Sequence, residues 1–75
     1  EIEGPDRKSA MEVITMAMDI EQEAEERYQG LAGETADADG KAMFRRLAEE
    51  EHGHYLALSD AYFSLSNQRG WEVPE

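Results

Sequence analysis

Apolar side chains recur at spacings of three and four along two stretches of this chain, which one polar, glycine-containing segment separates. Such spacings place side chains on one face of an α-helix. Each stretch carries seven positions of this kind: Ala10, Ile14, Ala17, Glu21, Ala24, Tyr28 and Leu31 in the first, and Phe44, Leu47, Glu51, His54, Leu58, Ala61 and Leu65 in the second. No stretch alternates with the period of two that is typical of a strand. The pattern predicts an all-α chain with two helices.

Residues that start and end helices set the expected bounds. Ser9 and Glu12 have the spacing of a capping box, which predicts that the first helix begins close to Ser9. The segment GETADADGK contains two glycines together with Thr and Asp residues that can cap the next helix. Asn67, Gly70 and Pro74 are typical of the region after a helix. We predict one domain over 1–75, with helix 1 over about 7–32, a turn over 33–39, helix 2 over about 40–66 and a C-terminal tail over 67–75.

Apart from Tyr28, three ionisable side chains interrupt the two apolar helix faces, which we call stripes. They are Glu21, Glu51 and His54. An unpaired carboxylate on a buried helix face costs several kcal/mol or is forced to protonate. These three positions are therefore candidates for a shared site. We expect solvent exposure for three neighbours that lie on other faces of the second helix: Glu49, Glu50 and His52.

An antiparallel hairpin folded at Ala36 brings Glu21 and Glu51 to the same height, because each lies 15 residues from Ala36. The same relation pairs apolar residues above and below them: Ile14 with Leu58, and Tyr28 with Phe44. His54 follows Glu51 by three residues, a spacing that lets one helix offer two ligands to one site. Two such hairpins related by a two-fold axis would bring together four carboxylates and two imidazoles. Two divalent metal ions would balance the four negative charges.

Composition narrows the possible partners. A chain of 75 residues buries only about 60 % of its unfolded surface, so we expect help from a metal or a second chain. The absence of cysteine excludes disulfides and thiolate metal sites. The net charge of −11 repels nucleic acid and anionic lipid and attracts cations. No segment approaches the roughly 20 apolar residues of a membrane span, and there is no basic-then-apolar leader. We expect a protein of the cytoplasm or of a compartment within it, with no nucleic-acid or membrane partner.

The sequence around the three candidates resembles the ferritin-like di-iron carboxylate superfamily, and in particular a rubrerythrin-like hairpin. DIEQEAEERYQGLA resembles the first helix of such a hairpin, and GKAMFRRLAEEEHGHYLALSDAYFSLSNQRGW resembles the second. The resemblance covers about residues 10–71. Typical members carry two hairpins in one chain, whereas this sequence contains one. It is also similar to encapsulated ferritins, which are single-hairpin proteins that complete a di-iron site between subunits.

The resemblance implies a fold and an activity. It implies a hairpin that pairs with a second hairpin into a four-helix bundle, as a homodimer or higher homo-oligomer. It also implies two Fe ions per hairpin pair, with Mn or Zn as alternatives, bound by Glu21, Glu51 and His54 with Glu51 as the bridge. Such a protein would oxidise Fe(II) with oxygen or peroxide, as a ferroxidase or a peroxide-reducing di-iron oxidoreductase. The alternative is a structural hairpin that dimerises or docks on another protein without metal chemistry.

Overall fold

The computed structural model describes the backbone of residues 4–72 and the side chains of residues 6–67. It contains two helices: α1 spans Gly4–Glu34 and α2 spans Ala38–Glu72. The two helices pack against each other as a hairpin that is 59 Å long, 19 Å wide and 15 Å thick. The prediction of an all-α hairpin is confirmed, and the described part of the chain contains no strand.

The first helix begins earlier than its sequence signal predicts. The capping-box prediction is wrong, because α1 begins at Gly4 and Ser9 is an exposed residue inside it. Pro5 stands in the first turn, where a missing backbone N–H removes no helical hydrogen bond. Asp6, also in the first turn, interacts favourably with the positive end of the helix dipole. These two residues account for the earlier start.

The second helix continues past the predicted end at residue 66 and reaches Glu72. Residues 67–72 are therefore helical rather than part of a tail, and residues 73–75 lie outside the described part of the chain. A glycine such as Gly70 weakens a helix by about 1 kcal/mol, which a long helix tolerates. A proline removes a backbone hydrogen bond and is far more disruptive, but α2 contains none.

The turn occupies residues 35–37, which makes it shorter than the predicted 33–39. Asp37 caps α2, because its Oδ2 accepts a hydrogen bond from the backbone N–H of Gly40 at 2.7 Å. A Cβ atom added at Gly40 would lie 3.0 Å from Cγ2 of Thr35. Glycine at this position therefore lets the chain close the turn tightly.

Backbone carbonyl groups at the end of α1 accept hydrogen bonds from side chains of the turn and of α2. Thr35 Oγ1 donates a hydrogen bond to the carbonyl oxygen of Leu31 at 2.6 Å. Lys41 Nζ reaches back from α2 and donates to the carbonyl oxygen of Ala32 at 2.8 Å. Both bonds go to carbonyl groups in the last turn of α1, which have no partner within the helix, and the Lys41 bond also joins α2 to α1 at the turn.

The hairpin encloses very little core. Among the described residues, only Ala32 and Ala48 are buried apolar residues. The rings of Tyr28 and Phe44 stack across the two helices with centroids 6.4 Å apart, which confirms the pairing predicted from the fold at Ala36. Six large apolar side chains are more than half exposed: Val13, Met16, Ile20, Met43, Leu56 and Phe63.

Neither described helix contains an apolar stretch long enough to cross a bilayer.

Candidate metal centre

The two helices bring the three ionisable stripe residues together. Glu21 of α1 and Glu51 and His54 of α2 each offer one ligand atom, and these atoms all lie within 4.8 Å of one another. His54 Nδ1 is 3.3 Å from Glu51 Oε1 and 3.5 Å from Glu21 Oε1. This convergence is what the three-four spacing and the fold at Ala36 predict.

Neighbouring side chains on each helix set the height and depth of the cluster. Glu21 lies between two small half-buried residues, Ala17 and Ala24, whose spacing places them one turn away on the same face of α1. Glu51 follows the buried Ala48 by three residues. Small side chains at these positions let the helix backbones approach, so that the longer carboxylate side chains meet between them.

The three side chains differ in exposure. The side chains of Glu21 and Glu51 are 24 % and 22 % exposed, whereas that of His54 is 62 % exposed. Its position on the apolar stripe predicts a buried imidazole, but a single hairpin leaves that side of the cluster open. The carboxylates are thus set between the helices, and the imidazole stands at the mouth of the site.

The close approach of the two carboxyl groups shifts their protonation equilibria in opposite directions. The pKa of Glu21 is raised, first by a hydrogen bond that it shares with Glu51 and then by partial removal from water and the Glu51 charge. The pKa of Glu51 is lowered, mainly because Glu51 accepts that hydrogen bond. Contact with Glu51, followed by the Glu21 charge, raises the pKa of His54. The cluster therefore favours protonation of Glu21 and His54 more than water does.

The donor set fits a divalent transition metal. Carboxylate oxygen and imidazole nitrogen suit iron, manganese and zinc. Glu21 Oε1 is buried and has no hydrogen-bond partner among the described residues, so it has a lone pair available for a cation. Three protein donors leave at least one position of a four-coordinate metal ion open to water or to another ligand.

His52, the second histidine of α2, lies outside this cluster. Its side chain is 52 % exposed, in line with the sequence prediction, and Glu49 and Glu50 are exposed as well. The sequence did not predict the contact between His52 and Glu25 of α1, in which His52 Nδ1 lies 3.3 Å from Glu25 Oε1. The ring of His52 also stacks on Tyr55 with centroids 6.3 Å apart. The position of Glu25 beside the α1 stripe was the available signal for this contact.

The chain is thus a helical hairpin with a candidate metal site, built from two carboxylates between the helices and an imidazole at the mouth of the site. The comparison with known families is more specific. The rubrerythrin family model matches residues 6–73. Because the match covers nearly the whole sequence, the chain belongs to the rubrerythrin family. Neither the curated proteins nor the solved structures include a significant match to this chain.

Proposed function

We propose that this protein binds two Fe(II) ions per pair of hairpins and oxidises them with oxygen or peroxide. The observation that carries the proposal is the convergence of Glu21, Glu51 and His54 within 4.8 Å in a chain of the rubrerythrin family. Two carboxylates and an imidazole are a suitable donor set for Fe(II), although manganese and zinc have similar preferences.

The site residues have distinct roles in taking up the cation. Glu21 and Glu51 supply negative charge and oxygen donors, and His54 supplies a neutral nitrogen donor. Metal ligands must be deprotonated, so binding of Fe(II) competes with protonation of Glu21 and His54, whose pKa values the cluster raises. The net charge of −11 raises the local concentration of cations at the surface and so favours delivery to the cluster.

The proposed reaction balances with iron as its substrate. Two Fe(II) ions lose one electron each and become two Fe(III) ions. These two electrons, with two protons, convert one hydrogen peroxide molecule into two water molecules, or one oxygen molecule into hydrogen peroxide. Glu21 and Glu51 supply anionic charge, which favours the more highly charged Fe(III) product over Fe(II).

The proposed site lies between two hairpins. One hairpin offers three donors, and its His54 imidazole stands at an open side of the cluster. A second hairpin adds two more carboxylates and one more imidazole. Four carboxylates so close together would repel one another strongly, and two divalent ions neutralise them.

Replacing one carboxylate tests the proposal against a closely matched control. Glu51→Gln keeps the shape of the side chain but removes its charge, and Glu50→Gln makes the same change at an exposed neighbour. We expect Glu51→Gln to lose stoichiometric binding of Fe(II) under anaerobic titration and to lose Fe(II) oxidation, while Glu50→Gln retains both. Normal iron uptake and oxidation by Glu51→Gln would show that the site is wrong.

A structural hairpin without metal chemistry is the competing proposal. The contacts that favour it are those that join the helices without any metal, namely the Tyr28–Phe44 stack and the Glu25–His52 pair. This alternative predicts that divalent metals leave the melting temperature unchanged. A ligand that binds only the folded state raises it.

A further inference from the structure

The pattern Glu-x-x-His occurs twice in α2, and the two copies are offset by two residues. Glu51 and His54 belong to the candidate metal centre, whereas Glu49 and His52 form the other copy. Successive residues of a helix are about 100° apart, so this offset places the second copy about 200° around α2 from the first. There, His52 meets Glu25 of α1. Two carboxylates and an imidazole therefore occur at a second place on the hairpin.

These residues line a groove between the two helices. The groove has a volume of about 340 Å³, and its lining includes Glu25 and Gln29 of α1 and Arg45, Glu49 and His52 of α2. A water molecule takes up about 30 Å³ in the liquid, so the groove has room for a cation and several bound water molecules. The side chain of His52 is 52 % exposed, so an ion can reach it from solvent.

The separation of Glu25 and His52 suits two ligands of one metal ion. His52 Nδ1 lies 3.3 Å from Glu25 Oε1. Bonds from zinc to nitrogen and oxygen are about 2.1 Å long, so two such ligand atoms at a tetrahedral angle lie about 3.4 Å apart. A charge-assisted hydrogen bond between nitrogen and a carboxylate oxygen is shorter, at about 2.7–2.9 Å. The two atoms are thus spaced as metal ligands rather than as a tight hydrogen-bonded pair.

Neighbouring side chains hold both of these groups in place. Gln29 Nε2 donates a hydrogen bond to Glu25 Oε2 at 3.2 Å, which leaves Oε1 directed at His52. The ring of Tyr55 stacks on the imidazole of His52 with centroids 6.3 Å apart. Hydrogen bonds to the carboxylates that bind an ion are typical of metal sites, because they fix the orientation of the ligand.

We propose that Glu25, Glu49 and His52 bind one divalent ion such as Zn²⁺ and so join α1 to α2 at a second place. Glu49 lies three residues before His52, which puts it on the same part of the helix surface, and its exposed side chain can turn toward the ion. Three protein ligands and a water molecule are a common set for zinc. This site goes beyond the proposed iron chemistry and does not depend on it.

Arg45 sets the strength of this site. It lines the same groove and lies four residues before Glu49, so the two side chains are neighbours on the surface of α2. Its positive charge repels a cation and competes with it for the Glu49 carboxylate. We therefore expect Zn²⁺ to bind here more weakly than at the candidate metal centre and to leave this site first when free metal is removed.

The test uses the fact that the chain contains only two histidines. In His54→Gln the imidazole of His52 is the only one left, so its ¹⁵N NMR signals report on this site alone during a titration with Zn²⁺. We expect these signals to shift and to saturate at one Zn²⁺ per chain. Adding Glu25→Gln should weaken the binding by at least about tenfold, as loss of a ligand does, whereas Glu26→Gln changes an exposed neighbour and should leave it within about twofold. Circular dichroism establishes that each variant is helical.

A substitution that strengthens binding provides a second test. Arg45→Gln removes the opposing charge, and we expect it to tighten Zn²⁺ binding at His52 by about two- to fivefold, the range for an exposed charge close to the ion. Arg46→Gln is the control, because Arg46 is also exposed but lies about 100° further around α2 and outside the groove lining. Unequal effects of this kind would not arise if the Glu25–His52 contact only joined the helices.

The proposal is overturned if the His52 signals of His54→Gln do not respond to Zn²⁺. It is also overturned if Glu25→Gln binds Zn²⁺ at His52 as tightly as Glu26→Gln does. The outcome is separate from that of the proposed function, because the titration in His54→Gln involves no iron and no oxidation. A wild-type protein that oxidises no Fe(II), together with a His52 signal that responds to Zn²⁺ and requires Glu25, would overturn the iron chemistry and support this site.

Discussion

His52 and His54 are separated by one residue, yet the fold gives them different partners. His54 contacts both carboxylates of the cluster, at 3.3 Å from Glu51 and 3.5 Å from Glu21. His52 contacts Glu25 on the other side of the hairpin. Both imidazoles are more than half exposed, so burial does not distinguish them. Because the two histidines differ mainly in their position around α2, substitution of one is a matched control for substitution of the other.

His54→Ala should weaken Fe(II) binding far more than His52→Ala. Loss of a residue that merely supports a metal ligand typically costs about 10- to 100-fold in affinity, and loss of a ligand should cost more. We therefore expect a drop of more than about 100-fold for His54→Ala and less than about threefold for His52→Ala. Anaerobic titration calorimetry measures both. Equal losses for the two variants would contradict the assignment of His54 as a ligand.

The protonation of the cluster predicts opposite effects of pH on stability and on metal binding. The folded protein raises the pKa of His54 above its ordinary value of 6.5, so the resulting stabilisation is fully present below that value. It is lost as pH rises through the raised pKa. The raised pKa of Glu21 changes the stability in the same direction, because its contribution is also lost as pH rises. The lowered pKa of Glu51 contributes stability that is lost only as pH falls through its own, more acidic range.

The metal-free protein should therefore have a lower free energy of unfolding at about pH 8 than at about pH 6, whereas its affinity for Fe(II) should rise over the same interval. Urea denaturation of the metal-free protein, with His54→Gln as the comparison, measures the first effect. Titration of the wild-type protein with Fe(II) at both pH values measures the second. A stability difference between the two pH values that persists in full in His54→Gln would show that His54 is not its source.

The helices themselves are positioned by the short turn. Asp37 caps α2, and Lys41 and Thr35 satisfy carbonyl groups at the end of α1. The turn brings Tyr28 against Phe44 and, further along, Glu21 against Glu51. The cluster thus depends on the register that residues 35–37 impose on the two helices.

Alanine substitutions at two glycines of α2 test this account of the turn. Alanine favours a helix over glycine by about 1 kcal/mol, and a Cβ atom at Gly53 would meet no atom within 4 Å. We expect Gly53→Ala to raise the free energy of unfolding by up to about 1 kcal/mol. Gly40→Ala should gain less or lose stability, because its Cβ would lie 3.0 Å from Thr35 Cγ2. Denaturant unfolding at equal protein concentration measures both, and a larger gain for Gly40→Ala would contradict the account.

The sequence predicts the pairing of the helices better than their ends. An antiparallel hairpin keeps its register along its length, so the fold at Ala36 predicts both the Tyr28–Phe44 stack and the meeting of Glu21 and Glu51. A capping residue contributes only about 0.5–2 kcal/mol to stability. The favourable first turn before Ser9 outweighs that contribution, so α1 begins earlier than Ser9. Weak helix breakers such as Gly70 do not stop α2. Local signals of this size do not fix the bounds of a long helix.

The sequence did not predict which side of the hairpin remains open. A stripe of three-four spacing does not specify how far each side chain is covered, so the 62 % exposure of His54 and the Glu25–His52 contact required the structure. Both follow from the angular position of each residue around α2. In a single hairpin, residues at the edge of the stripe stay in contact with solvent.

At the scale of the whole molecule, the hairpin has too little core to be expected to act alone. Ala32 and Ala48 are the buried apolar residues of the described chain, and six large apolar side chains remain more than half exposed. Small domains with a limited core usually depend on a metal or on oligomerisation for stability. In the proposed assembly, a bound metal and a second hairpin supply both.

Bound metal should therefore raise the melting temperature of the protein. A ligand at 100 times its dissociation constant adds about 2.7 kcal/mol to the free energy of unfolding. For a domain of this size, that corresponds to a rise of at least about 10 °C. Differential scanning calorimetry with anaerobic Fe(II) measures the shift, and Mg²⁺, which prefers oxygen donors alone, is the control ion. An equal shift in Glu51→Gln would place the stabilising ion elsewhere.

The proposed iron site between two hairpins is tested most directly by the iron content of the protein, determined together with its mass in solution after anaerobic loading with Fe(II) and removal of free iron. We predict one iron per chain at a mass of about 17 kDa, which is twice the 8.5 kDa of a single chain. We also predict loss of this iron in Glu51→Gln and its retention in Glu50→Gln. A wild-type protein that retains no iron, or a Glu51→Gln variant that retains all of it, would contradict the claim.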